Sequence, residues 1–235
     1  MKKGDLKKKE ILQTAETLFC KNGYETTSIQ DILDVLHTSK GSFYHHYASK
    51  ELLLEEICRL RADVLARNVS LSVLENSSPI EKLNVLFNGM IPLTGEKLDF
   101  LLMILPVFDL PEGRQIRFSY AESLSAVFRD MVIQEIRRGN ETGDIFCPEE
   151  NQSADIAFLI LNELWFRICL IIIHKEKEGN NIEFSELMNI ISFYRGTLER
   201  VLSAPFGSIR LMDLEDIRNL SEKIHQNWIV LNKNK

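Results

Sequence analysis

Glycine and proline are scarce in this chain, 11 and 6 residues among 235. Apolar residues recur mostly at helical spacing, and with so few helix breakers the pattern points to an all-α fold. Cysteine is also scarce. Cys20, Cys58, Cys147 and Cys169 lie far apart and form no CxxC pair. That spacing argues against a disulfide framework and a zinc knuckle, and the four read as small buried hydrophobes in a reducing cytosol. No apolar signal core occurs at the N-terminus, so secretion is not indicated. The most lipid-like run, "IAFLILNELWFRICLIII" at 156–173, is interrupted by Asn162, Glu163 and Arg167. Charges are costly at a bilayer centre, so a helix buried between other helices is expected, with no membrane partner. GxSxG, P-loop, HExxH and Gly-rich dinucleotide signatures are missing. Nothing marks an enzyme, and no cofactor or metal is expected.

What is present is an ordinary globular composition, 45% hydrophobic and 26% charged, sized for one large domain or two small ones. The net charge of −6 is unevenly spread. Residues 1–50 hold 8 Lys/Arg against 6 Asp/Glu, or +2, and the remainder holds 20 against 28, or −8. A basic head on an acidic body fits nucleic-acid binding by the head. The run Lys2, Lys3, Lys7, Lys8, Lys9 is equally compatible with chance clustering at a terminus.

A first helix is read over 6–22, where Ile11, Leu12, Ala15, Leu18 and Phe19 form one stripe that "KNGY" ends. "ETTS" caps a short second helix carrying Ile29, Ile32, Leu33 and Leu36, with Ser28 and Asp31 at capping-box spacing. A third short helix starts near Ser39, with Phe43 and Tyr47 inward. Ser49 caps a long helix over about 50–74 with Leu53, Ile57, Leu60 and Val64 as one face. Further helices are read near 79–90, 96–109 (interrupted by Pro106), 113–138, 150–177 and 184–203. "RRGNETGDIFCP" and "KEGNNIEF" read as loops. A last amphipathic helix is expected at about 213–231, capped by Asp213, with Leu214, Ile217, Leu220, Ile224, Trp228 and Leu231 apolar. It should pack on the helices at 113–138 and 184–203.

Three short helices, the second and third joined by a four-residue turn, are the helix-turn-helix arrangement. The third helix would enter the DNA major groove. Ser39, Lys40 and Ser42 offer bonds to phosphates or base edges, and small Gly41 permits close approach. Tyr44, His45 and His46 are longer arms, and Lys50 flanks them. Thr27, Ser28 and Gln30, at the start of the second helix, complete the candidate DNA-contacting set. Adjacent helical positions diverge, so His45 and His46 read as DNA contacts rather than a metal site.

The stretches "AETLFCKNGYETTSIQDIL" and "TSKGSFYHHYASKELLL" resemble the TetR (tetracycline-repressor-like) family of bacterial transcription regulators, over about residues 10–55. His37 stands where that family usually has Gly, and Thr38 where it often has Val. The resemblance implies a three-helix DNA-binding head (1–50) joined to a larger helical body (51–235) with an effector cavity. It also implies dimerisation through the last two core helices and a cytoplasmic, ligand-released repressor on a palindromic operator. A DNA-binding regulator controlled by a protein partner instead of a small molecule remains the alternative.

Within the body, Phe87, Met90, Phe100, Met103, Phe108, Tyr120, Phe128 and Phe166 are candidates to line the cavity, and Phe118 and Trp165 are further aromatics. Glu163 and Arg167 stand at i, i+4 in an apolar helix, either paired or anchoring a ligand. A mostly apolar, cationic or aromatic effector would suit Glu163. Leu187, Ile191, Tyr194, Leu198 and Val201 share one helix face and are the candidate dimer interface. The partners expected are double-stranded DNA, a second copy of the chain and an unidentified small molecule.

Overall fold

A computed structural model of the chain describes residues 3–69, 76–93, 95–105, 111–180, 182–220 and 222. Helices account for all regular structure among them. In chain order they are α1 (Lys3–Asn22), α2 (Ile29–Val35), α3 (Lys40–Tyr44), α4 (Lys50–Asn68), α5 (Pro79–Met90), α6 (Gly95–Ile104), α7 (Pro111–Thr142), α8 (Glu150–Lys177) and α9 (Phe184–Leu202). Residues 214–220 are also helical.

Local chemistry explains most of the boundaries. Gly23, at φ +91°, ends α1. Its N–H closes on the Phe19 carbonyl at 2.9 Å. Ser78 caps α5 by accepting from the Glu81 N–H, the Glu81 carboxylate accepts from the Ser78 N–H, and Pro79 takes the first helical position. The α4 helix ends at Asn68, and the last residues of the long helix read from sequence lie in 70–75, outside the described residues, as does Pro106.

The loop expected from Arg137 is instead helical through Thr142. Gly139 does not break α7. A Cβ there would stand 2.6 Å from Ile145 Cγ1, so the glycine lets the following loop fold tightly onto the helix. Asn140 holds that loop from both sides, donating to the Cys147 carbonyl and accepting the Cys147 N–H, each at 2.7 Å.

The chain divides into two compact units, Met1–Asp63 with Asp99–Ser123, and Val64–Leu98 with Leu124–Lys235. The division after Asp63, rather than after Lys50, has a plain cause. The part of α4 before Asp63 is bound to α1 by the Lys8–Glu56 ion pair at 3.0 Å and by the Arg61–Glu16 pair. Leu53, Leu54, Ile57, Cys58 and Ala62 of α4 are buried, whereas Leu60 and Val64, expected inward, are exposed. In the first unit they join Ile11, Ala15, Phe19, Ile32, Phe43 and Tyr47 in one core.

The second unit buries Leu83, Leu86 and Phe87 of α5, Phe128 and Val132 of α7, Leu164 and Trp165 of α8, and Leu198 and Leu202 of α9. The α8 helix is long and apolar enough to cross a membrane by length and composition, yet half of its most apolar window is buried in the protein. Its polar interruptions are accounted for. Asn162 donates to Ser125 Oγ at 3.2 Å and accepts the Trp165 indole N–H at 3.1 Å.

The C-terminal segment docks by an arrangement the sequence did not reveal. Asn84 and Asn88, one turn apart on α5, treat it as a strand. Asn84 donates to the Ser208 carbonyl and accepts the Arg210 N–H, and Asn88 donates to the Arg210 carbonyl and accepts the Met212 N–H, all within 2.9 Å. Buried Glu199 of α9 accepts the Gly207 and Ile209 N–H groups at 2.8 and 3.2 Å. These bonds hold residues 207–212, ahead of the expected helix, to α5 and α9. The helical run itself meets α9 through Arg218, whose guanidinium lies 5.6 Å from the Phe184 ring centroid, and α5 takes the place that the helix at 113–138 was expected to fill. Asp213 caps the helical run through the Asp216 N–H at 2.7 Å. Ile217 and Leu220 are buried, Leu214 is exposed, and Ile224, Trp228 and Leu231 lie outside the described residues.

Candidate nucleic-acid interface

The helix-turn-helix is built from two caps and a locked turn. Ser28 Oγ accepts the Asp31 N–H at 3.1 Å, and the Asp31 carboxylate accepts the Ser28 N–H at 2.7 Å, a complete capping box for α2. These bonds from Ser28 hold the Asp31 carboxyl below the usual carboxylate range. At the other end of α2 the Thr38 N–H reaches the Leu33 carbonyl and the His37 N–H the Asp34 carbonyl. This is the Schellman pattern, and it requires a left-handed residue at position 37. His37 supplies it at φ +46°.

A Cβ in that conformation costs about 1 kcal/mol, which glycine avoids. His37→Gly should therefore stabilise the first unit by about 1 kcal/mol, read as a higher denaturant midpoint at unchanged slope. An unchanged or lower midpoint would show that the His37 side chain contributes something the backbone argument omits.

Ser39 caps α3 by accepting the Ser42 N–H at 3.3 Å. Phe43 and Tyr47 point inward, with Phe43 at 0% and Tyr47 at 5% exposure. The Tyr47 hydroxyl is buried without a hydrogen-bond partner among the described residues, and burial pushes its ionisation up. The opposite side carries Ser39, Lys40, Gly41, Tyr44 and His45 in solvent, with Ser42 and His46 half-buried. Tyr44 is 53% exposed and meets Phe43 edge-on, which braces the ring without covering its hydroxyl. His45 and His46 also meet edge-on, 4.9 Å between centroids. No group of three or more metal-ligating side chains occurs among the described residues. A capped helix this short, anchored by two aromatics and carrying a cation, hydroxyls and imidazoles outward, suits groove contact.

Several sequence candidates have other work. Thr27 is 1% exposed and donates its hydroxyl to the Gly23 carbonyl at 2.8 Å, so its side chain pins the α1–α2 turn and does not face solvent. Lys50 directs its ammonium to the Tyr24 and Thr27 carbonyls at 2.9 and 3.1 Å and lies 4.1 Å over the Tyr24 ring. It fastens the start of α4 to that turn. Ser28 is exposed but its hydroxyl serves the capping box, and Gln30 donates to Asp34 at 2.7 Å. The basic N-terminal run is partly neutralised, since Lys7 pairs with Glu10 and Lys8 with Glu56.

The candidate effector residues are distributed over both units. Phe87, Met90 and Phe128 are buried in the second. Phe100 and Tyr120 are buried in the first, ring to ring at 5.6 Å, with the Arg61 guanidinium 5.6 Å from the Phe100 centroid. Burial raises the Tyr120 phenol far above its ordinary range. Phe108 and the Met103 side chain lie outside the described residues. Phe166 is half-buried. Glu163 is no buried acid. It and Arg167 are about half exposed and pair with each other at 3.5 Å, because their positions fall on the outer side of α8. Phe118 is exposed as well.

The candidate dimer face needs the same correction. Leu187, Ile191 and Leu198 are buried within the single chain, and Tyr194 and Val201 are half-buried. The amphipathic stripe of α9 faces its own core. Exposed apolar side chains on α8 and α9 are Ile156, Leu159 and Phe193, the last two at 69% and 68%.

The family model for bacterial regulatory proteins of the tetR family matches residues 11–57, which span the capped helices and turn described above. The transcriptional repressor KstR2 of Mycobacterium tuberculosis is 30% identical over 143 residues, covering 60% of this chain and 69% of that protein. The helical architecture is similar to that of GusR of Salmonella enterica, at TM-score 0.51 and 18% identity over 87% of this chain and 99% of that one. It is also similar to RolR in complex with resorcinol, at TM-score 0.55 and 11% identity over 94% and 95%. The head, the shared sequence and the all-helical fold agree, and the chain belongs to the TetR family of bacterial DNA-binding transcription regulators, which are not enzymes.

Proposed function

We propose that the chain acts as a cytoplasmic homodimer that represses transcription from a palindromic operator and releases it when a small molecule binds. One observation carries the reading. Lys40 and Tyr44 of α3 and His45 at its C-cap are in solvent, while Phe43 of the same helix and Tyr47 just after it are buried. A dimer is supported by the apolar side chains of Ile156, Leu159 and Phe193, which the chain's own core leaves in water. Burying such surface is favourable by about 25 cal/mol per Å². Regulation by a small molecule is supported by the likeness to RolR, which is seen with resorcinol bound. An effector would act by preferring one spacing of the two recognition helices over another.

Selection of binding sites from random DNA, followed by footprinting and light scattering, tests the reading. Two protected half-sites about 34–36 Å apart are expected, together with the mass of a dimer. A single half-site bound by one chain would overturn it.

A further inference from the structure

A cavity of about 700 Å³ opens within the second unit, between α5, the start of α6, α9 and the C-terminal segment. It is lined by none of the aromatic residues singled out from sequence. Met188, Ile191, Leu211, Met212 and Ile217 make its apolar walls, and five charged side chains join them: Lys97, Arg195, Arg210, Asp213 and Asp216. A cavity of this size with a few convergent polar groups is the usual form of a small-molecule site.

The charged groups are unequally satisfied. Asp213 is committed to capping the helical run through the Asp216 N–H. The cations are less well served. Among the described residues, Lys97 Nζ donates to the Asn88 carbonyl at 2.8 Å. Arg195 Nε is buried and makes none among the described residues. Its acid neighbour, Glu199 Oε1, stands 3.9 Å away and already accepts two backbone N–H groups. The Arg195 guanidinium also lies 5.7 Å from the centroid of the exposed Phe206 ring. Glu199 Oε2 is likewise buried without a hydrogen-bond partner among the described residues, so the Arg195–Glu199 pair is imperfectly matched, and with Lys97 it sets under-used donors beside an apolar wall.

We propose that this cavity binds an amphipathic carboxylate, with the acid group against Lys97 and Arg195 and the hydrocarbon against the methionine and isoleucine side chains. The effector suggested by Glu163 alone would have been a cation; the groups gathered here select the opposite charge. Burial holds the Lys97 ammonium down to about 8, and Asp216 is the acid that opposes that shift. Arg195, Arg210, Asp213 and Asp216 line the same space, and Glu215 acts on Asp216 from the same helical run. A bound carboxylate favours the charged amine, so the ligand should bring a proton with it. Affinity should be full below that value and fall as pH rises through it.

Calorimetric titration of the full-length protein with decanoate tests this without DNA, so the outcome is separate from operator recognition. Saturable binding at one site per chain is expected, weaker at about pH 9 than at about pH 7 and accompanied by proton uptake near pH 8. Lys97→Met and Arg195→Met should each weaken it about tenfold or more. Asp216→Asn removes a like charge from beside the bound carboxylate and almost no volume; because Asp216 also supports the Lys97 charge, the expected tightening is read at about pH 6, where the amine stays protonated. This last variant decides the matter if either of the others fails to fold. Failure of decanoate to bind would overturn the proposal, as would equal binding by Lys97→Met, weakening in Asp216→Asn, or tighter binding of decyltrimethylammonium.

Discussion

Alanine at Lys40 or Tyr44 should lower operator affinity by about 1–3 kcal/mol per lost contact, roughly 5- to 150-fold, while the melting temperature stays where it was. Both side chains are exposed and neither supplies a cap; the Tyr44 ring meets the edge of Phe43 from the solvent side. Their loss should leave no cavity. In a dimer each substitution occurs twice, so the effect on the whole complex can approach the square of that on one half-site. The two variants should differ in character. If Lys40 meets a phosphate, its removal weakens all sequences alike and reduces the salt dependence by about one counterion per contact. If it meets a guanine edge, specificity relaxes at one base pair. Phe43→Ala is the contrasting control. Phe43 is fully buried, and truncating a buried phenylalanine costs about 3–5 kcal/mol, so binding should be lost together with folding. Gel-shift titrations at matched salt, with melting curves alongside, separate these outcomes. Operator binding by both exposed-residue variants at the level of the unaltered protein would remove α3 from the interface.

Leu198→Glu should unfold the second unit rather than yield a folded monomer. Leu198 has no exposed surface in the single chain. A carboxylate placed there has neither water nor a partner, and such a substitution costs more than about 4–5 kcal/mol. That is a large share of the roughly 5–15 kcal/mol that holds a domain together. Phe193→Glu and Leu159→Glu should do the opposite. Both positions are mostly in solvent, so a charge there leaves the chain folded but opposes burial against a second copy. Light scattering at micromolar concentration should report monomers for these two variants, and circular dichroism should report native helicity. Dimers that persist in both would exclude the outer face of α8 and α9 as the interface. A folded, monomeric Leu198→Glu variant would reverse the assignment of the α9 faces.

The helices, their caps and the turn between α2 and α3 were legible in the sequence because they depend on neighbours a few residues away. Ser28 with Asp31, Ser39 with Ser42, and Ser49 with Leu52 are bonds between residues three apart. Residue types at that separation determine whether they form. Long apolar stripes likewise identify which helices have a buried face. They do not say what covers it, since a core and a subunit interface are apolar alike. That is why the stripe of α9 could be taken for a dimer face when it covers the chain's own interior. Tertiary structure alone decided the roles that rest on distant partners. Lys50 closes on carbonyls more than twenty residues earlier, and Asn84 and Asn88 hold backbone more than 120 residues later. The same holds for the cavity, where Lys97, Arg195 and Asp216 converge from three separate stretches of chain. No local pattern encodes such a meeting, because each residue contributes a charge or an amide whose value depends on what the fold brings beside it.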